Sequence, residues 1–260
     1  MPHIHANGID IHYQFDGPET APVLLMSNSL GTNLGMWDDQ ISAFTPEFHI
    51  LRYDKRGHGQ TSAPEGEYTL DQLGGDVLAL LDTLQLEKVY FCGLSIGGMT
   101  GQWLGRNAAD RLHKLVLSNT SAHMAPKDMW DERIKAVLKG GMEPMVDTVT
   151  SRWFTPEFIA NEPERVAKVQ EMILTTPPAG YAGCSAAIRD MDQRDGISNI
   201  TVPTLVISGD KDPATPPKHG RLIADTIAGA RYVEIAGAAH LANIEQTETF
   251  NEAVAGFLTG

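Results

Sequence analysis

Gly93-Leu94-Ser95-Ile96-Gly97 follows the apolar run Lys88-Val89-Tyr90-Phe91-Cys92 and leads into a segment of helical character, Met99 to Ala109. Small residues two before and two after the serine let the chain fold back sharply from strand to helix, where larger side chains would collide. Such a turn lifts the serine hydroxyl clear of a sheet. The helix start beneath it offers unpaired N–H groups to a developing negative charge. Ser95 therefore reads as a nucleophile, and a serine nucleophile needs a base and an acid that orients the base.

Both occur downstream. Asp210 and Asp212 compete for the acid in Ser208-Gly209-Asp210-Lys211-Asp212-Pro213. Asp210 lies closer to the strand end and suits the turn, so Asp212, followed by Pro213 and then Thr215-Pro216, is preferred. His240, in Gly237-Ala238-Ala239-His240, follows the last strand-like run. The other histidines fall on an N-terminal hairpin (His3, His5, His12), at a strand start (His49), in a Gly-rich loop (His58), on helices or their ends (His113, His219), or before an irregular region (His123). For the oxyanion, one backbone donor is expected at Ile96, directly after the nucleophile. The other is expected from Asn28-Ser29-Leu30-Gly31, where Leu30 takes the donor position and Asn28 and Ser29 replace the usual His and Gly.

These residues must be held by an alternation of strands and helices. Asn7-Gly8 between His3–Ala6 and Ile9–Phe15 is a two-residue hairpin signal, because both turn positions favour positive φ. Val23–Met26 is a continuous apolar run suited to a strand buried on both faces. Further strands are predicted at His49–Asp54, Lys114–Ser118, Thr204–Ser208 and Arg231–Ile235. Helices are predicted at Thr69–Leu86, opened by a Thr69/Gln72 capping box, at Lys218–Ile227 and at Ile244–Leu258. The fold class is α/β, with a mostly parallel eight-stranded sheet covered on both faces. From His123 to Gly196 no buried strand is evident, only short amphipathic pieces rich in Met, Trp and Pro. This segment, 123–196, is expected to be a helical cap inserted between core parts 1–122 and 197–260.

A chain of 260 residues, 42% hydrophobic and 20% charged, suits one large soluble domain with an insertion. Its net charge of −13 disfavours nucleic acid and anionic membrane as partners, and means that an anionic substrate needs local positive charge. Cys92 and Cys184 show no metal-site spacing and are expected to be reduced, which suits a cytoplasm. No secretory leader and no membrane-spanning run is visible, and the oligomeric state is not legible.

The order Ser…Asp…His is that of the α/β hydrolases. Several stretches resemble 3-oxoadipate enol-lactonases in particular: Asn28-Ser29-Leu30-Gly31-Thr32-Asn33 with Trp37, Arg52-Tyr53-Asp54 with Arg56-Gly57-His58-Gly59, and Phe91-Cys92-Gly93-Leu94-Ser95. So do Arg189-Asp190-Met191-Asp192, Asp212-Pro213-Ala214-Thr215-Pro216 and Ala239-His240-Leu241-Ala242-Asn243-Ile244-Glu245. The resemblance spans essentially the whole chain. It implies a cytoplasmic enzyme of the β-ketoadipate pathway of aromatic degradation, acting on a small anionic enol-lactone through an acyl-enzyme, with no metal or organic cofactor.

A substrate carboxylate needs a cation, and the cap offers Arg133, Arg152 and Arg189. Trp130, Trp153 and Tyr181 are candidates to line the pocket, whereas Arg56 is expected to brace its loop and Cys92 to fill core space. The same scaffold also admits a general carboxylesterase, a C–C bond hydrolase or a perhydrolase, and a ligand receptor that keeps its triad.

Overall fold

The computed structural model describes residues 2–260. At the N-terminus Asn7 and Gly8 both adopt positive φ, +48° and +75°, and so close β1 (His3–Ala6) onto β2 (Ile9–Asp16) with Ala6 opposite Ile9. Six further strands follow: β3 (Val23–Ser27), β4 (His49–Tyr53), β5 (Val89–Leu94), β6 (Leu112–Ser118), β7 (Thr204–Gly209) and β8 (Arg231–Ile235). They form one eight-stranded sheet in the order β1-β2-β4-β3-β5-β6-β7-β8. β2 runs antiparallel to β1 and β4, and every other pairing is parallel. The expected α/β class and mostly parallel sheet are what is found.

Apolar runs in the central strands are continuous because both faces are covered. Leu24, Met26, Cys92 and Val116 enter the core on one face, and Leu25, Phe91, Leu115 and Val206 enter it on the other. The covering helices are α1 (Asp38–Phe44), α2 (Leu70–Thr83), α3 (Ile96–Asn107), then α4 (Lys127–Gly140), α5 (Val146–Trp153), α6 (Pro156–Asn161), α7 (Pro163–Thr175) and α8 (Pro178–Asp190), and finally α9 (Pro217–Thr226), α10 (Ala242–Glu245) and α11 (Thr247–Thr259). None of the described helices is long and apolar enough to cross a membrane.

Among the boundaries that differ from the sequence expectation, three have identifiable reasons. α2 opens on the full Thr69/Gln72 capping box but stops at Thr83, and Gln85 beyond it turns into left-handed backbone. α3 begins at Ile96 rather than Met99: Gly97 and Gly98 are helical, and they are small because neighbouring chain lies against them. The C-terminal helix is two helices, interrupted at Gln246, whose backbone (φ −126°, ψ 58°) is not helical.

Helices α4 to α8 lie between β6 and β7. α8 is pressed into the rest of the molecule and buried from Gly180 to Ile188. It comes so close to the loop after β4 that a Cβ on Gly180 would sit 1.9 Å from the Gly57 carbonyl oxygen. Gly183 C=O also accepts from Tyr68 N–H at 3.1 Å.

Candidate active site

Ser95 occupies the turn between β5 and α3 with φ +59° and ψ −118°, a conformation that non-glycine residues reach only at a cost of about 1–3 kcal/mol. The surroundings hold it there. Its N–H donates to Ser118 O at 2.9 Å, and its carbonyl accepts from Thr120 Oγ1 at 2.7 Å. A side chain at Gly93 would meet the Gly97 carbonyl at 2.3 Å, and one at Gly97 would meet Ser27 O at 2.1 Å. The two glycines are thus required by crowding on both sides of the turn.

His240 and Asp212 come from the loops after β8 and β7. His240 Nδ1 lies 2.8 Å from Asp212 Oδ2. The buried Asp212 carboxylate also accepts from Ala214 N–H (2.8 Å) and Thr215 N–H (2.9 Å) at Oδ1, and from Thr215 Oγ1 (2.7 Å) and Asn119 Nδ2 (3.0 Å) at Oδ2. Burial alone would raise its pKa, but the charge and hydrogen bond of His240, with the Thr215 and Asn119 donors, bring it below the ordinary carboxylate value. Asp210 is placed differently: it accepts from Gly237 N–H at 2.7 Å, closing the loop after β8, and faces Lys211 Nζ at 3.3 Å.

Ser95 and His240 line one cavity together with Leu30, Trp130, Arg133, Trp153 and Tyr181. With Nδ1 committed to Asp212, His240 keeps Nε2 for a reacting group. Its ring is tilted against Trp153 with centroids 5.9 Å apart. Neither Leu30 N–H nor Ile96 N–H donates to a protein acceptor among the described residues. Asn28, in place of the usual His, closes the loop through its Nδ2, which donates to Thr32 O and to Thr32 Oγ1.

The cationic candidates separate. Arg133 lines the cavity with its guanidinium 4.9 Å over the Trp130 ring, and no carboxylate among the described residues lies within ion-pair distance of it. Arg152 joins Arg133, Trp130 and Trp153 around the adjoining hollow and donates to Pro213 O at 3.2 Å. Burial pushes the Tyr181 phenol pKa up, and the facing Arg133 and Arg152 partly offset that rise. Arg189 is not at the cavity. Its guanidinium donates to both Glu67 oxygens (3.0 and 2.9 Å), to Asp131 (2.8 Å) and to Asp190 (3.0 and 2.6 Å). The expectation that Arg189 binds substrate is corrected on that ground: three carboxylates already consume its donors, and it ties α8 to α4 and to the loop before α2.

Asn119 and Glu245, behind the site, carry no sequence signal of their own. Asn119, just past β6 with φ +43°, donates from Nδ2 both to Asp212 and to Ala239 O (3.1 Å), joining the acid loop to the histidine loop. Buried Glu245 accepts from Ala239 N–H (2.6 Å) and from Thr155 N–H (2.8 Å), so the histidine loop is fastened to the segment between α5 and α6. Ser29 and Trp130 line the cavity, and their Oγ and Nε1 atoms are buried with no hydrogen-bond partner among the described residues. His58 accepts from Gly31 N–H at 2.9 Å, and Arg56 pairs with Asp76 through two bonds, Nε to Oδ2 (2.8 Å) and NH2 to Oδ1 (2.6 Å). Cys92 and Cys184 are buried and unpaired.

The sheet order, the strained strand-to-helix turn and the helices inserted after β6 are those of an α/β hydrolase. Residues 22–247 match the family described as the alpha/beta hydrolase fold. The chain is 40% identical over 249 residues to 3-oxoadipate enol-lactonase 2 of Acinetobacter baylyi, covering 96% of this chain and 93% of that one, and 38% identical to 3-oxoadipate enol-lactonase 1 of the same organism, covering 96% and 94%. It superposes on the crystal structure of the enol-lactonase from Burkholderia xenovorans LB400 with a TM-score of 0.98 at 44% identity, over the full length of both chains. This chain belongs to the α/β hydrolase family and, within it, to the group of the 3-oxoadipate enol-lactonases.

Proposed function

We propose that this chain hydrolyses 3-oxoadipate enol-lactone to 3-oxoadipate in the β-ketoadipate pathway of aromatic degradation. Ser95 is the nucleophile, His240 the general base and acid, Asp212 the acid that orients it, and the Leu30 and Ile96 N–H groups the oxyanion donors. One observation carries the reading: Ser95, an Asp212-held His240 and a carboxylate-free Arg133 line the same cavity. The named enol-lactonase relatives point the same way.

In this mechanism His240 Nε2 takes the proton of Ser95 Oγ as the oxygen bonds to the lactone carbonyl carbon. The carbonyl oxygen becomes an oxyanion facing two preorganised N–H donors. The ring C–O bond then breaks and expels an enolate, a better leaving group than an alkoxide, which His240 protonates before ketonisation. Water, deprotonated by the same histidine, attacks the acyl carbon, and Ser95 leaves with the proton returned. Asp212 keeps the imidazole in one tautomer throughout and stabilises its charged form.

Arg133, with Arg152 beside it, binds the pendant carboxylate, and Trp130 and Trp153 wall the ring. Residues 123–196 act as the cap over a core made of 1–122 and 197–260. The partner is a small diffusing anionic lactone, and the net charge of −13 argues against nucleic acid and anionic membrane. We place the enzyme in the cytoplasm, which suits its two unpaired buried cysteines.

The test follows the ultraviolet absorbance of freshly generated enol-lactone with the wild-type protein and with Ser95→Ala. Fast decay in the wild type, reduced by at least about a thousandfold in the variant, is expected. Decay no faster than the spontaneous rate, with the wild type folded, would sink the substrate assignment.

A further inference from the structure

Lys55, in the loop after β4, is buried, and burial pushes its ammonium pKa down to about 7. A buried cation is costly unless it is paired. Arg52, Arg56 and Arg189 each meet a carboxylate, whereas no carboxylate among the described residues lies within ion-pair distance of Lys55. Its hydrogen bond goes instead from Nζ to Ser29 O, at 2.8 Å. That oxygen belongs to the peptide unit whose N–H is Leu30. The peptide is planar and trans, so its C=O and N–H point in opposite directions. Whatever grips the Ser29 oxygen therefore aims the Leu30 N–H.

The grip is tight. Ser29 O also accepts from Thr32 Oγ1 at 2.9 Å and from Thr32 N–H at 3.4 Å. In the same loop Ser29 N–H donates to Met36 Sδ (3.4 Å), Gly31 N–H to His58 Nε2 (2.9 Å) and Thr32 N–H to Ser29 O. Of the four consecutive N–H groups from Ser29 to Thr32, Leu30 alone has no acceptor among the described residues. The interactions leave one donor free, at the cavity that Ser95 lines, and place at the far end of its peptide the Lys55 amine, which carries its positive charge below about pH 7. Positive charge on an amide oxygen side draws electron density from the nitrogen and makes the N–H a stronger donor.

We propose that Lys55 is a positioning residue that aims and polarises the Ser29–Leu30 peptide as an oxyanion donor. This rests on the reading of Leu30 as such a donor, given above. Its effect belongs to the tetrahedral state, where the oxyanion exists, and not to binding of the ground-state carbonyl.

The experiment compares wild type, Lys55→Met, Lys55→Gln and Thr32→Val, each checked for folding by circular dichroism and thermal melting. kcat and KM are read with the enol-lactone and with p-nitrophenyl acetate, a neutral ester that uses the same oxyanion donors. Affinity is read for a carboxyalkyl boronic acid, which forms a tetrahedral adduct on a serine oxygen, and for adipate, which does not. Lys55→Met should lower kcat by about 10- to 100-fold, less than loss of a whole oxyanion donor, with KM within about twofold. Boronate affinity should fall by a similar factor and adipate affinity should hold. Thr32→Val, which removes the second grip on the Ser29 oxygen, should show the same pattern at about three- to tenfold. Lys55→Gln, which keeps a donor without the charge, should lose kcat by about three- to thirtyfold and decides the matter if Lys55→Met does not fold. Unchanged kcat, or a loss appearing equally in KM and adipate affinity, overturns the proposal. Activity on p-nitrophenyl acetate without activity on the lactone would refute the substrate alone, while the kcat and boronate comparison still judges Lys55.

Discussion

Asp210 and Asp212 follow the same strand two residues apart, and their neighbours divide them. Asp212 collects donors from Ala214, Thr215, Asn119 and His240, while Asp210 caps Gly237 N–H at the rim. Asp212→Asn would present an amide to the imidazole and favour the wrong tautomer, so kcat should fall by about 10³–10⁴-fold. Asp210→Asn keeps an acceptor for Gly237 and should change kcat less than about threefold. Steady-state rates of the two variants on the same lactone preparation check this, and the reverse ranking would reassign the acid. The cations divide in the same manner. Arg133→Met should raise KM for a carboxylated lactone at least tenfold and leave a neutral ester within about twofold, because only the first substrate has a charge to pair. Arg189→Met, removed from the cavity by its three carboxylates, should change neither KM but should lower the melting temperature.

Among the elements, backbone contact decides how tightly the inserted helices sit. α8 crosses the loop after β4 with Gly180 and Gly57 touching main chain to main chain, the Cβ position of Gly180 lying 2.4 Å from Gly57 Cα. Nothing flexible can move aside there. Gly180→Ala should cost about 1–3 kcal/mol, seen as a lower urea midpoint. Gly75, inside α2, is the contrasting case, since its added Cβ would meet only the Asn7 side chain at 3.5 Å. Gly75→Ala should raise the midpoint, by about 0.5–1 kcal/mol, through helix propensity and chain entropy. Arg165 supplies a further fastening: from α7 it reaches Asp39, Ile244 O (2.7 Å) and Thr247 (3.0 Å). Together with Glu245 at Thr155, these contacts tie the inserted helices to the elements that carry His240.

At the scale of the whole molecule, a protein of net charge −13 that binds the anionic lactone proposed above needs local positive charge, which Arg133 supplies at the cavity and Arg152 at the adjoining hollow. Raising ionic strength should therefore change the lactone KM more than that of a neutral ester. Stability carries its own pH signature. His58 is fully buried, and burial, then the nearby Lys55 charge, holds its pKa well below the ordinary 6.5. In the unfolded chain it takes a proton below that ordinary value, which the folded chain refuses, so the unfolded state binds more protons and stability falls as pH drops from 6.5. His113 and His219, also lowered, act in the same direction. Urea midpoints should drop between pH 7 and pH 5, and His58→Asn, which cannot be protonated, should flatten that slope even if it lowers the plateau.

What the sequence determined by itself is local or periodic. Strand runs, the Asn7-Gly8 hairpin and the Thr69 capping box depend on neighbours along the chain, and the α/β class with its parallel sheet follows from their alternation. Ser95, Asp212 and His240 could be singled out because each stands just past a strand-like run, in an order that a single chain displays. The tertiary structure alone decided which cation is free, since Arg133 and Arg189 look alike until Glu67, Asp131 and Asp190 are seen to consume the second. It alone revealed Asn119 at Asp212, 93 residues away, Glu245 between the α5–α6 segment and the histidine loop, and Lys55 under the Ser29 carbonyl. The physical reason is common to all of them. A buried polar group is defined by the partner that satisfies it, and partners separated by tens of residues leave no spacing or period to read.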